Sequence, residues 1–156
     1  MEKTILDMCC GGRMFWFDRT DPRAVFCDIR SESPELCDGR IHHVKPDIIC
    51  DFRKLPFAND TFKLVVFDPP HFNVGGDSGW QVKKYGRLDK LTWRDDLAKG
   101  FEEAFRVLKS GHTLIFKWNE TQIRTKEILE LTPHTPVIGH PSGARAKTHW
   151  LSFLKD

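Results

Sequence analysis

Four aspartates, Asp7, Asp28, Asp51 and Asp68, stand at or just past the carboxyl ends of four short apolar runs. An ionised carboxylate accepts hydrogen bonds and donates none, and its charge-assisted bonds are roughly twice as strong as neutral ones. Such groups suit the hydroxyls of a sugar, an ammonium or an amine. Aspartate is also common wherever a strand becomes a turn, so one of them alone means little. Four, one per successive run, mean more if the runs lie side by side, because one rim then carries them all. The last acid is followed by Pro69, Pro70 and His71. Two successive prolines fix their own φ and restrict the residue before each, which stiffens the turn beside Asp68.

The runs that must position these acids read as strands: residues 4–8, 24–27 (ending at Asp28), 47–50 and 64–67. They are continuously apolar, as in central parallel strands covered on both faces. Residues 13–17 suggest a short helix, and the polar stretch 31–45, with Pro34 and Gly39, a loop holding one helical turn. Thr92 can cap a helix, with Asp95 closing a capping box. Leu97, Phe101, Phe105 and Leu108 then form one apolar stripe, and Ser110-Gly111 ends the helix. Residues 113–116 read as a fifth strand, Asn119 as the cap of a helix through Leu129, and residues 136–138 with 150–154 as a closing hairpin. Strands alternating with helices imply the α/β class: a Rossmann-like, doubly wound sheet, mostly parallel, with a closing antiparallel hairpin. Such sheets bind ligands in the crevice beyond the carboxyl ends of their strands.

The 156 residues fit one domain, 1–156, and contain no repeat or linker. Hydrophobic content of 40% and charged content of 29% are those of an ordinary soluble protein. No apolar run approaches the roughly 20 residues a bilayer requires, and nothing resembles a signal peptide. The expectation is a cytoplasmic protein without membrane contact. Cysteines 9, 10, 27, 37 and 50 form no C-x-x-C pair, which argues for reduced thiols and against a structural metal. A net charge of +2 excludes a protein held to nucleic acid by bulk electrostatics, so any polyanion must be held by local patches.

Leu6-Asp7-Met8-Cys9-Cys10-Gly11-Gly12 resembles the first motif of class I S-adenosylmethionine (SAM) dependent methyltransferases. The resemblance implies that Asp7 lies near the ammonium group of SAM and that Cys9, Cys10 and Gly11 approach its methionine end. The family commonly has a further glycine where this chain has Arg13. Asp28 stands where related folds place an acid on the ribose hydroxyls. Asp51-Phe52-Arg53-Lys54-Leu55-Pro56-Phe57, with Asp60 and Phe62, is similar to the family's third motif, which implies that Asp51 and Phe52 hold the adenine ring. A nicotinamide-type G-x-G-x-x-G is absent, which argues against a dehydrogenase.

Asp68-Pro69-Pro70-His71 resembles the [D/N]-P-P-[Y/F/W] motif of methyltransferases acting on amino groups conjugated to a ring or carbonyl. The resemblance assigns catalysis to Asp68, Pro69, Pro70 and His71, with Asp68 also bordering the cofactor. An exocyclic amine gives its lone pair to the ring and is a poor nucleophile. A carboxylate and a backbone carbonyl that both accept from the NH2 free that lone pair. His71 replaces the usual aromatic residue, and imidazole also stacks on bases; Phe72 is an alternative source of the ring. No metal is required.

Residues 73–93 form a glycine-rich segment carrying Lys83, Lys84, Tyr85 and Arg87. Cations interleaved with aromatics suit phosphate contact and stacking on an unpaired or flipped base, and a lid that only excludes water has the same composition. A second basic loop, 140–149, holds Arg145 and Lys147 and is loosely similar to the tail of small phage-type nucleic-acid methyltransferases. These residues are candidate substrate contacts or solvated surface charges. The expected function is methyl transfer from SAM to a nucleobase amino group, adenine N6 in DNA or RNA first. The alternatives are a methyltransferase for a small metabolite or protein side chain, and a SAM-binding module without catalysis. Lacking a target-recognition domain, the chain would act on single-stranded or flipped bases, form a homodimer or use a partner subunit.

Overall fold

The computed structural model describes residues 2–74, 76, 79–141 and 147–156. In chain order the elements are β1 (Ile5–Asp7), β2 (Ala24–Asp28), β3 (Ile48–Ile49), β4 (Phe62–Phe67), α1 (Trp80–Tyr85), α2 (Trp93–Val107), β5 (Leu108–Asn119), α3 (Thr125–Leu129), β6 (Ile138–Pro141) and β7 (Thr148–Leu154). They build one seven-stranded sheet in the order β3-β2-β1-β4-β5-β7-β6. β1 to β5 run parallel, and β7 lies antiparallel to both β5 and β6. The α/β class, the mostly parallel sheet and the closing hairpin agree with the sequence reading. Among the described residues, no helix is long and apolar enough to cross a membrane.

One face of the sheet is packed by α2. Leu97, Phe101, Ala104 and Phe105 meet Leu6, Val65, Phe67, Leu114 and Phe116 in a single buried cluster, which Ile128 of α3 joins. Each fully buried side chain of this size contributes roughly 1.5–3 kcal/mol, so this cluster sets the sheet's shape. On the other face, Ala24 and Phe26 are covered by a loop rather than a helix, through Cys10 and Trp16. The Trp16 and Phe26 rings meet edge-on at 4.8 Å.

Several local expectations are corrected. Residues 13–17 form turns, because Gly11 (φ 48°) and Arg13 (φ 54°) adopt the left-handed region that breaks a helix. β3 is an edge strand of two residues, and Ile48 and Ile49 are 37% and 63% exposed instead of covered on both faces. Thr92 makes no capping bond. The Asp89 carboxylate accepts from the backbone N–H of Leu91 and Thr92 in the turn before the helix, while Thr92 Oγ1 donates to Asp96. α2 ends at Val107 and β5 begins at Leu108, so the helix stops before Ser110-Gly111, where Gly111 (φ 72°) lies in an irregular stretch of the β4–β5 pairing. Asn119 ends β5, its side-chain oxygen accepting from Thr121, and the following helix spans only Thr125–Leu129. The glycine-rich segment contains the six-residue α1.

Gly100 on α2 lets the helix lie against two rings. A Cβ there would stand 2.5 Å from Phe67 Cζ and 2.9 Å from Phe52 Cδ2. Gly100→Ala gains about 1 kcal/mol of helix propensity but overpacks this contact at a cost of roughly 1–3 kcal/mol. A lower urea midpoint is expected, and a raised midpoint would contradict the packing described.

Candidate active site

The tips of the parallel strands create the site. The Cys10 N–H donates to the Cys27 carbonyl at 2.7 Å, and the Met8 N–H to the Val66 carbonyl at 3.0 Å, so the first loop leaves the sheet between β2 and β4. Gly11 N–H then donates to Asp28 Oδ2 at 3.0 Å. Arg13 occupies a left-handed conformation of the kind glycine adopts freely. Its side chain compensates: the guanidinium donates to the carbonyls of Arg19 and Lys45 and to Asp47, and lies 3.8 Å from the Phe26 ring centroid. Gly12 allows His42 to approach, since a Cβ there would be 2.6 Å from His42 Cε1.

Beyond the loop lies a cavity of ≈ 320 Å³. Its walls include Cys9, Cys10, Gly11, Asp28, Asp51, Phe52, Asp68, Pro69, Pro70 and His71, together with Lys84, Tyr85 and Arg87 from the glycine-rich segment. Asp28 is buried; its Oδ2 accepts from Gly11 N–H, and its Oδ1 accepts from the Arg30 backbone N–H and, at 3.4 Å, from the Arg30 guanidinium, which leaves a lone pair on Oδ2. Asp51 receives Arg53 on both oxygens, and Arg53 also reaches Asp96 at 2.9 Å. The bonds from Arg53 hold the Asp51 carboxyl below its usual range. For Asp51 to accept from another donor, the Arg53 side chain, 41% exposed, must swing away. Phe52 is fixed 5.3 Å from Phe67, between the cavity and α2.

At the other end of the cavity, Lys117 Nζ donates to Asp68 Oδ2 at 2.9 Å. Burial raises the Asp68 carboxyl, and Lys117 opposes that rise. Burial pushes His71 down to about 4, with Lys117 adding to the effect, so the imidazole is neutral at pH 7. Its ring lies 4.1 Å from Phe72 and 5.4 Å from Tyr85. Burial keeps the Cys9 thiol protonated and pushes Cys10 up to about 12, so neither supplies a thiolate nucleophile. Among the described residues, no group of three or more His, Cys, Asp or Glu is placed to hold a metal ion.

Some candidate residues lie elsewhere. Asp7 is fully buried beneath the loop, outside the cavity wall, and its carboxylate accepts from Trp16 Nε1 at 2.7 Å and Cys9 N–H at 3.3 Å. Phe72 is buried behind His71 and supplies no ring to the cavity. Lys83 does not line the cavity; its carbonyl accepts from Arg30 at 3.2 Å. Lys147 is exposed, and its carbonyl receives the Glu120 N–H. Arg145 lies outside the described residues. Sequence reasoning missed Lys117 and Phe15, which line the cavity, and Trp150, which packs on Phe15. The available signal was a lone lysine in the apolar run Leu114 to Trp118.

Solved structures that resemble the chain include a SAM-dependent methyltransferase from Methanosarcina mazei (13% identity, TM-score 0.58, covering 99% of this chain and 94% of that one). Another is geranyl diphosphate C-methyltransferase from Streptomyces coelicolor A3(2), solved with Mg2+, geranyl diphosphate and S-adenosyl-L-homocysteine (11% identity, TM-score 0.59, 99% and 71% covered). A third is an rRNA methylase from Streptococcus thermophilus (12% identity, TM-score 0.53, 99% and 87% covered). No family model and no curated protein matches the chain. The chain therefore shares the fold of these methyltransferases, and its chemistry must be argued from its own residues.

Burial pushes Asp7 up to about 7, against the lowering effect of the Trp16 bond. The folded chain thus binds this proton more tightly than the unfolded chain. Its contribution to stability is complete below about pH 4 and is lost as pH rises through about 7. His71, held below its usual range, contributes the opposite slope but does so alike in both proteins, so between about pH 5 and about pH 8 urea unfolding is expected to show the wild type losing stability relative to Asp7→Asn. A stability difference between the two proteins that stays constant over this range would contradict this assignment.

Proposed function

We propose that the chain transfers a methyl group from SAM to an exocyclic amino group of a nucleobase, with adenine N6 in a single-stranded or flipped base of DNA or RNA as the first candidate. The observation that carries this reading is that Asp28, Asp51 and Asp68 line one cavity with the Cys9–Gly11 backbone at its edge. SAM presents ribose hydroxyls, an adenine ring with an amino group and a positive sulfonium. The cavity's lining fits the first two of those features: Asp28 keeps a lone pair on Oδ2 for a hydroxyl, and Phe52 offers a ring.

When bound, SAM supplies an electrophilic methyl whose carbon–sulfur bond breaks as the new carbon–nitrogen bond forms. Asp28 and Phe52 hold the donor, and Gly11 lets backbone approach it closely. Asp68 accepts one N–H of the target amine and the Pro69 carbonyl the other, which draws the nitrogen lone pair out of the ring. The proline pair keeps those two acceptors in fixed relation. Neutral His71, backed by Phe72, offers a flat face to a base. Asp68 then takes the proton shed by the methylated nitrogen. Orientation of this kind supplies roughly 7–11 kcal/mol of a barrier, and no covalent enzyme intermediate is needed. A second reading, a small heterocyclic amine, is favoured by the cavity wall at Tyr85–Asp89, which a free small molecule need not displace.

Two measurements decide. By calorimetry, SAM should bind at micromolar affinity, and Asp28→Asn should weaken it about tenfold or more, the worth of charge-assisted hydrogen bonds; unchanged affinity would remove Asp28 from the site. Labelled SAM should then be offered to denatured DNA, RNA, protein and small-molecule pools. Methyladenine is expected in nucleosides from the nucleic acids, with Asp68→Ala abolishing transfer while SAM still binds. Label confined to small molecules would favour the second reading, and a fully active Asp68→Ala would refute the amine mechanism.

A further inference from the structure

In β5 the side chains alternate between faces, and Leu114, Phe116 and Trp118 are all fully buried on the α2 side. That alternation sends Lys117 to the opposite face. The register pairs Phe67 of β4 with Phe116 of β5, so Asp68, one residue on, comes level with Lys117. Across β7 the antiparallel partner of Lys117 is Trp150. Its ring lies 5.6 Å from Lys117 Nζ, and the Phe15 ring lies 5.4 Å from the same atom. Phe15 and Trp150 themselves meet edge to face at 5.4 Å. The ammonium is thus held by two ring faces and one carboxylate, with the side chains of Lys117 and Asp68 only 23% and 18% exposed.

We infer that Lys117 is the positioning residue that keeps Asp68 ionised, binding one of its oxygens and leaving the other to accept from the target amine. The amine belongs to the function proposed above; the ion pair itself stands apart from it. A buried carboxylate without a counter-charge takes up a proton, and a protonated Asp68 would donate where it has to accept. The other titratable groups around it give no help. Asp7 from β1 adds a like charge whenever it ionises, Cys9 remains a neutral thiol, and His71 remains a neutral imidazole. Among the described residues, Lys117 is the cation that touches Asp68. A lysine left to itself in such surroundings would also tend to lose its charge, and the faces of Phe15 and Trp150 oppose that by attracting the ammonium.

The test reads Asp68 directly. The full chain is labelled with 13C at the aspartate carboxyl carbons, and the Asp68 signal is identified by its loss in Asp68→Asn. Its titration is followed in the wild type and in Lys117→Arg, Lys117→Met and Lys117→Gln, each shown to be folded by urea unfolding. The Arg variant should titrate like the wild type, whereas Asp68 should move upward by about 1–3 pH units in the Met and Gln variants. Titration within a few tenths of a unit of the wild type in either neutral variant overturns the inference. In the transfer assay with a single-stranded adenine oligonucleotide, the rate profile of Lys117→Gln should shift to higher pH while SAM affinity is unchanged. If the wild type methylates no acceptor, the proposed reaction fails, and the carboxyl titration still decides the role of Lys117.

Discussion

Parallel pairing of β1 with both β2 and β4 is the constraint on which the rest of the molecule depends. Asp7 stands opposite Phe26 on one side and Val66 on the other, so β1, β2 and β4 reach the same rim within a residue or two. A one-residue slip would turn every side chain of a strand to the other face, and here it would carry Leu6 and Val65 out of the α2 cluster. The apolar packing therefore enforces the register, and the register in turn delivers Asp28 and Asp68 to one cavity. Core and chemistry are not separate achievements in so small a protein. The same Phe67 that α2 buries also backs Phe52 at the cavity wall.

Arg13 shows how a departure from a familiar motif is absorbed. A non-glycine residue in the left-handed region is strained by its Cβ. Three hydrogen-bonded partners and the face of Phe26 offset that strain, and they tie the first loop to residues Arg19, Lys45 and Asp47. Asp47 is the hub of this arrangement, since it also accepts from the Phe26 N–H and from Lys3. A loop that glycine would leave pliable is instead stitched to the edge of the sheet. The face of β2 that carries no helix is covered by means of this stitching.

Much of this was legible in the residues. Continuous apolar runs ending in aspartate gave the parallel strands and their rim, and the stripe on α2 gave its buried face. What was not legible depends on contacts between distant segments. Asp7 belongs to a matching motif, yet its carboxylate is consumed by Trp16, nine positions away, and nothing in local patterning foretells that bond. Phe72 and His71 are adjacent, and only the fold decides which of the two rings faces the cavity. Lys117 was overlooked because a lysine in a strand reads as a solvent-facing residue, and its partner Asp68 lies 49 positions earlier. Thr92 makes no cap because its hydroxyl donates to Asp96 instead, a competition between nearby side chains that the capping pattern does not reveal.

The two margins of the sheet carry a consequence for self-association. An open edge invites another chain to add itself as a further strand, and long, flat, apolar edges are the dangerous ones. Here one margin is β3, a ladder of only two residues, and the other is β6, four residues that finish at Pro141, which has no N–H to offer. A newcomer at either margin would gain few main-chain hydrogen bonds in return for its lost freedom. Brevity at the borders guards this sheet against growing into fibres.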